Sequence, residues 1–194
     1  SQLESIKNFV NKITEKYQKI DILFNNAGFM TLGSLEDVTA DEIYSQINTD
    51  LIGPIILTKF LIPHMKNTSS PGLVINMSST AGRLGFGYST SYCSAKFGIE
   101  GFSESLRMEM MRNGINVALI EAGIVNSEFF TKIKRTENSK NSEYAKETES
   151  MFELINNFIS NKKSWLNPEN IAKTIVSEII PENLSLIHHD CGKS

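Results

Sequence analysis

Apolar residues Leu3, Ile6, Phe9, Val10 and Ile13 recur at helical spacing, and the short run over residues 20–24 reads as a buried strand closed by the turn-forming Asn25 and Gly28. Thr39 followed by Glu42 is a capping-box signature. The pattern from Ile43 through Leu51 to Met65 predicts a long helix that accommodates Pro54 only with a kink. Ser69, Ser70, Pro71 and Gly72 punctuate the chain; residues 73–77 predict a second strand, residues 78–88 a glycine-rich loop, and residues 91–112 a helix stopped by Asn113 and Gly114. Residues 115–120 predict a third strand. Strands alternating with helices predict βαβ units and a parallel sheet covered on both faces.

Over residues 127–163 the composition shifts toward Lys, Glu, Asn and Ser, with Phe129, Phe130, Met151, Phe152, Ile155, Phe158 and Ile159 as the main apolar positions. This stretch reads as a mobile helical segment lying over a site. Asn167 caps a further helix with Pro168 at its first position, and Ile171, Ile175 and Ile179 give that helix an apolar face. Residues 184–189 are a candidate last strand. With no internal repeat, low-complexity tract or linker, residues 1–194 form a single domain.

Composition narrows the function classes. The 194 residues are 40% hydrophobic and 21% charged, with a net charge of −3 from 19 basic and 22 acidic side chains scattered along the chain. That pattern carries no electrostatic footprint for nucleic acid or an anionic membrane. The longest apolar stretch, residues 51–62, contains Gly53, Pro54 and Lys59 and falls short of the roughly 20 residues that cross a bilayer. Cys93 and Cys191 stand far apart with no disulfide-framework spacing, which predicts free thiols and a cytoplasmic location. The chain opens at Ser1 without methionine and runs straight into an amphipathic helix, so its start reads as a cut one.

Tyr92 and Lys96 occupy positions i and i+4 of a predicted helix and share one face. A free phenol, with a pKa near ~10, is a poor base at neutral pH, and a neighbouring ammonium favours its ionised form. Such a pair alone is weak, since a surface Tyr and Lys at this spacing are common. Ser79 lies 13 residues earlier, at the end of a predicted buried strand, where ligands bind in open α/β sheets. Asn48 lies on the preceding helix, and Asn25, Asn26, Ala27 and Gly28 close the strand before it.

These residues, in this order and with Gly123 further on, resemble the motifs of the short-chain dehydrogenase/reductase family over residues 1–127. The resemblance implies an α/β fold with a Rossmann-like doubly wound parallel sheet, here truncated at its N-terminus, and an oxidoreductase that uses NAD or NADP. It implies that Tyr92 is the acid/base, that Ser79 binds the reacting oxygen, that Lys96 binds the nicotinamide ribose and lowers the Tyr92 pKa, and that Asn48 orders a water linking Lys96 to solvent. Asn26, Ala27 and Gly28 would line the adenosine side of the cofactor, with Val125 and Ser127 on the nicotinamide side. Ala122 and Ser127 stand where the family commonly has Pro and Thr, a change that keeps a hydroxyl but loosens a turn.

The family's glycine-rich phosphate turn, and the residue that selects NAD or NADP, would lie before Ser1. Gly82, Gly85 and Gly87 follow a different strand and read as flexibility in a substrate loop. The expectation is a dehydrogenase fragment, with an exposed apolar edge on its first strand and weak dinucleotide affinity. Phe86, Tyr88, Phe129, Phe130 and Phe158 favour an apolar secondary alcohol or ketone as substrate. Plain core packing is the competing reading of those rings. A homodimer or homotetramer is expected from the family, in which the helix carrying Met108, Met110 and Met111 commonly forms an interface, although packing is the simpler role for these methionines. Two other readings compete: a non-catalytic homologue that pairs through that helix, and an unstable remnant.

No metal site is expected. His188, His189, Asp190 and Cys191 are adjacent and cannot readily converge on one tetrahedral ion. His64 suits the end of a helix, and Cys93 a small buried position.

Overall fold

The computed structural model describes residues 2–66, 71–160, 166–180 and 189–190, with side chains given for all of these except 2, 158, 159, 189 and 190. Helix α1 (Gln2–Lys16) leads into β1 (Ile22–Asn25) and a short β2 (Thr31–Leu32). The capping box predicted from Thr39 and Glu42 starts α2 (Ala40–Ile47), each side chain bonding the other residue's backbone N–H.

The kink expected at Pro54 is a slip in the hydrogen-bond ladder instead. Residues Asn48–Ile52 form a π-helical turn in which the Gly53 N–H reaches back five residues to the Asn48 carbonyl. Pro54, with no N–H to donate, then opens α3 (Gly53–Met65) in its first turn, where that loss is tolerated. π-Turns of this kind turn side chains out of helical register.

Strand β3 (Gly72–Ser79), helix α4 (Thr90–Met110) and strand β4 (Ile115–Ala122) follow. A left-handed Gly114 stops the helix, at φ 64°. Strand β5 (Lys134–Arg135), α5 (Ala145–Ser160), α6 (Pro168–Thr174) and β6 (His189–Asp190) complete the order. The Asn167 side chain caps α6 as its position predicts, accepting from the Glu169 N–H. Of the candidate last strand over residues 184–189, residues 184–188 lie outside the described residues, while His189 and Asp190 pair with Ile120 and Glu121.

The main sheet runs β1-β3-β4-β6, all parallel, and β2 pairs with β5 in a separate parallel ribbon. Strand alternation divides the core into two layers. Leu23, Val74, Ile115 and Val117 face Val10 of α1, Leu61 and Met65 of α3, and Leu106 and Met110 of α4. Leu73, Ile75, Ala118, Ile120 and Ala122 face Ile171 of α6 and Ile175 and Ile179 just beyond it. Helices thus cover both faces, as in a doubly wound Rossmann-like fold.

Strand β1 lies at the edge of the sheet. Ile22 and Phe24, opposite Leu73 and Ile75 in register, turn to the α6 side and remain 40% and 42% exposed. The packing role expected for three methionines holds only for Met110; Met108 and Met111 are 66% and 71% exposed. Among the described residues no helix is long and apolar enough to cross a membrane.

Candidate active site

In open parallel sheets, side chains at the carboxyl ends of the strands face the ligand crevice. Here α4 runs back along β3, and its face at Tyr92, Lys96, Glu100 and Ser103 makes a polar seam with the end of that strand. Ser103 accepts from Asn76 Nδ2 at 2.8 Å, Glu100 accepts a short hydrogen bond from the Ser78 hydroxyl, and Lys96 Nζ donates to the Met77 carbonyl at 3.1 Å. Asn76 is held from the other side by Asn25 of β1 at 2.7 Å. Gly82 closes against this seam. A Cβ there would lie 2.6 Å from Ser78 Oγ and 2.7 Å from Glu100 Oε1, so this glycine provides close approach, while Gly85 and Gly87 face open space.

Ser79 ends β3, accepting from the Ala81 N–H at 3.2 Å and hydrogen-bonding Tyr92. Tyr92 is 7% exposed and Lys96 5%, with Nζ 5.6 Å from the Tyr92 ring centroid. The structure therefore brings Ser79, Tyr92 and Lys96 together. It does not give the lowered phenol pKa expected from the i,i+4 pair. Burial pushes Tyr92 well above its ordinary value, the Ser79 hydrogen bond opposes this only in part, and the charge of Asp50 pushes the same way as burial. Burial also draws Lys96 down, against the pull of Asp50 and Glu100.

Asp50 was not evident from the motif. Asn48 opens the π-turn and is half-buried, its carbonyl engaged by Gly53. Two residues on, buried Asp50 places Oδ2 3.6 Å from Lys96 Nζ and accepts from the Phe29 N–H through Oδ1 at 3.3 Å. Gly98 of α4 permits the approach, since a Cβ there would lie 2.6 Å from Leu51. Gln46, one turn before Asp50 on the same face, clamps the same loop by accepting from the Thr31 N–H at 2.9 Å and donating to the Phe29 carbonyl at 2.7 Å. The available signal was a pair of polar residues at i and i+4 inside a segment otherwise set for burial.

The acid carries a stability signature. Burial raises Asp50 from 3.8 to about 6, outweighing Lys96 and the Phe29 N–H. The folded state then holds a proton that the unfolded state releases between pH 3.8 and about 6, so this group's contribution to stability grows as pH falls through that window and is absent above it. Thermal melts of the wild type and Asp50→Asn across about pH 4–8 should show this slope in the wild type and a flatter profile in the variant.

Asn26 and Ala27 are exposed just past β1, and Gly28 is half-buried against Asp50. Past β4, Val125 bridges Leu166, and the Ser127 hydroxyl accepts from the Phe129 N–H at 3.4 Å. The expected overlying segment is tied down at its base: β5 pairs with β2, Thr136 donates to Glu42 at 2.9 Å, Asn138 to the Asp37 carbonyl at 2.8 Å, and Arg135 meets Glu149. Phe129, Met151, Phe152 and Ile155 pack on the cluster that contains Tyr92, with the Phe129 and Tyr92 rings 5.9 Å apart. The side chains of Phe158 and Ile159 lie outside the described residues. Two hollows of about 360 and 620 Å³ share Tyr88, whose φ of 61° is unusual for a bulky residue. Cys93 is buried beside Ser89 and Phe86, and His64 sits in the last turn of α3, both as expected. Among the described residues no group of three or more His, Cys, Asp or Glu side chains is placed to hold a metal ion.

The family model for short chain dehydrogenase matches residues 1–138. The chain belongs to this family of oxidoreductases. It is 31% identical over 183 residues to an uncharacterized oxidoreductase of Schizosaccharomyces pombe, a match that covers 94% of this chain and 75% of that protein. Its fold is similar to that of a short-chain dehydrogenase from Streptomyces avermitilis, with a TM-score of 0.80 and 26% identity, over 97% of this chain and 66% of that one. A Burkholderia phymatum family member in complex with NAD has the same fold, with a TM-score of 0.80 and 17% identity, over 96% of this chain and 66% of that one. The chain thus spans about two thirds of the length of these solved relatives.

Proposed function

We propose that the chain supplies the catalytic part of an NAD(P)-dependent oxidoreductase that interconverts an apolar secondary alcohol and its ketone, with Tyr92 as acid/base. The observation that carries this reading is the triplet of Ser79, Tyr92 and Lys96 at the carboxyl end of β3, with Ser79 half-buried and the other two buried. The chemistry of the donor set fits a nicotinamide riboside: an ammonium for a sugar diol beside a phenol, with the Ser127 hydroxyl beyond β4. Lys96, Tyr92, Val125 and Ser127 would hold that half of the cofactor, and Asn26, Ala27 and Gly28 the adenosine side. When bound, the nicotinamide supplies or accepts the hydride.

The residues of the chain handle the proton and the orientation. Ser79 donates to the substrate oxygen, and Tyr92 gives that oxygen its proton, or removes it in the opposite direction. Phe129, packed on Tyr92, and exposed Leu84 and Phe86 offer apolar contacts for the rest of the substrate. Residues 127–163 act as the substrate lid.

A second reading, pairing with another copy or a longer homologue, draws on the exposed face of α4 at Phe97 and Met108, continued by Met111 just past the helix. It is compatible with an enzyme that works as a dimer or tetramer. Calorimetry with NADH and NADPH, on the 194-residue chain and on any longer product of the gene, separates the readings. Binding by either form, coupled to reduction of apolar ketones, is the expected result. A failure of both forms to bind overturns the enzyme reading and favours the pairing one.

A further inference from the structure

We propose that Tyr88 is a specificity-determining residue, its ring placed to set how long an uncharged apolar chain the substrate can carry beyond the reacting carbon. This rests on the reading of Tyr92 as acid/base for an alcohol or ketone, and adds to it a chain-length limit and the side chain that imposes it.

The backbone at Tyr88 is the starting observation. Its φ of 61° lies in the left-handed region, and among the described residues no other non-glycine residue has a positive φ. A bulky side chain is strained there, whereas glycine enters that region freely. A glycine stands one position earlier, at Gly87, yet the strained position carries a ring. Strain of this kind persists only where the surroundings over-determine the conformation, and it concentrates at ligand clamps. Here the surroundings hold the residue from two sides. The Tyr88 carbonyl accepts from the Gly33 N–H at 2.8 Å, and Gly33 is itself pressed against the base of the overlying segment, since a Cβ there would lie 2.4 Å from Thr136. On the other side Ser89, 1% exposed, donates to the Phe86 carbonyl at 3.0 Å, and its own carbonyl accepts from the Cys93 N–H at 2.9 Å.

What the fixed ring does follows from what lies around it. Tyr88 packs on the cluster that contains Tyr92, as does Met151 of α5. The smaller hollow is lined by Tyr88, Met151 and Leu154, beside Lys146 and Glu147. The larger is lined by Tyr88, Leu35, Gly87 and Tyr144, beside Glu36. Met151 and Tyr88 both tie the smaller hollow to the Tyr92 cluster, whereas the larger is tied to it, among the described residues, by Tyr88 alone. A substrate whose oxygen meets Tyr92 therefore extends first into the smaller hollow and meets the Tyr88 ring before the larger one. Two hollows in series suit an extended chain over a compact one. The larger hollow offers the Glu36 carboxylate and, among the described residues that line it, no basic side chain, so a chain reaching it is uncharged.

The test is calorimetric binding of straight-chain methyl ketones of increasing length to the ligand-free chain, followed by turnover of the same series with NADH or NADPH on this chain and on any longer product of the gene. Wild type, Tyr88→Gly, Tyr88→Ala and Tyr88→Phe are compared. Wild-type affinity should rise with each added methylene and level off where the chain meets the ring. Tyr88→Gly should keep rising, so that about two carbons past the wild-type limit it binds about tenfold tighter than wild type. Tyr88→Phe should reproduce the wild-type profile, because the ring and not its hydroxyl sets the limit. Thermal melts report the strain: Tyr88→Gly should melt above Tyr88→Ala, from which it differs only by a Cβ. The same length profile in wild type and Tyr88→Gly, or binding to neither, overturns the proposal, as does Tyr88→Ala melting at or above Tyr88→Gly. A shifted binding profile with no coenzyme bound and no turnover by any form would leave the limit at Tyr88 standing and overturn the oxidoreductase reading instead.

Discussion

Tyr92→Phe is expected to lower kcat by about 10³-fold while leaving coenzyme affinity within about twofold. The substitution removes one oxygen and keeps the ring, so the contact with Phe129 and the packing in the cluster with Met30, Leu32 and Ala81 survive. What is lost is the proton and the hydrogen bond with Ser79. A loss confined to kcat identifies a group that acts in the transition state, whereas a matched rise in KM would point to a binding role. Steady-state assays with NADH or NADPH and an apolar ketone, beside calorimetric binding, give both numbers. Activity within about tenfold of wild type would remove Tyr92 from the reaction.

The second large effect concerns folding. Lys96→Met keeps much of the buried aliphatic stem but leaves Asp50, buried, with the Phe29 N–H as its hydrogen-bond donor among the described residues. Stripping one member from a buried ion pair costs about 3 kcal/mol, mostly as the penalty of the stranded charge. Denaturant midpoints near about pH 8 should show that loss, and it should shrink near about pH 5, where Asp50 takes up a proton. Adding Asp50→Asn should recover most of it, since the double variant buries no charge at this pair. A penalty equal at both pH values, and not relieved by the second substitution, would place the cost in packing alone.

The alternation of strands and helices was legible because each carries its own period and its own stops. Thr39 with Glu42, Asn113 with Gly114, and Asn167 with Pro168 mark ends that the structure reproduces, since caps depend on neighbours along the chain. The site was legible where one helix sets the spacing, as for Tyr92 and Lys96. It was less so where two segments meet. Asp50 reaches Lys96 through a π-turn and a glycine contact between separate helices, and neither leaves a period in the sequence. The Tyr92 environment escaped for a related reason: the i,i+4 ammonium is a local feature, while burial by residues 129–155 and the charge of Asp50 are not. The overlying segment likewise read as mobile because its polar side chains, Thr136 and Asn138 among them, find partners about 100 positions away on α2 and just before it.

The edge position of β1 bears on how this chain behaves in solution. Its outer backbone has no strand partner among the described residues, and Ile22 and Phe24 add apolar side chains beside that open row of donors and acceptors. Such an edge is a template for a further strand, from another molecule as readily as from the same one. A charged side chain in place of Phe24 would discourage such pairing with another molecule without touching the chemistry at β3 and α4.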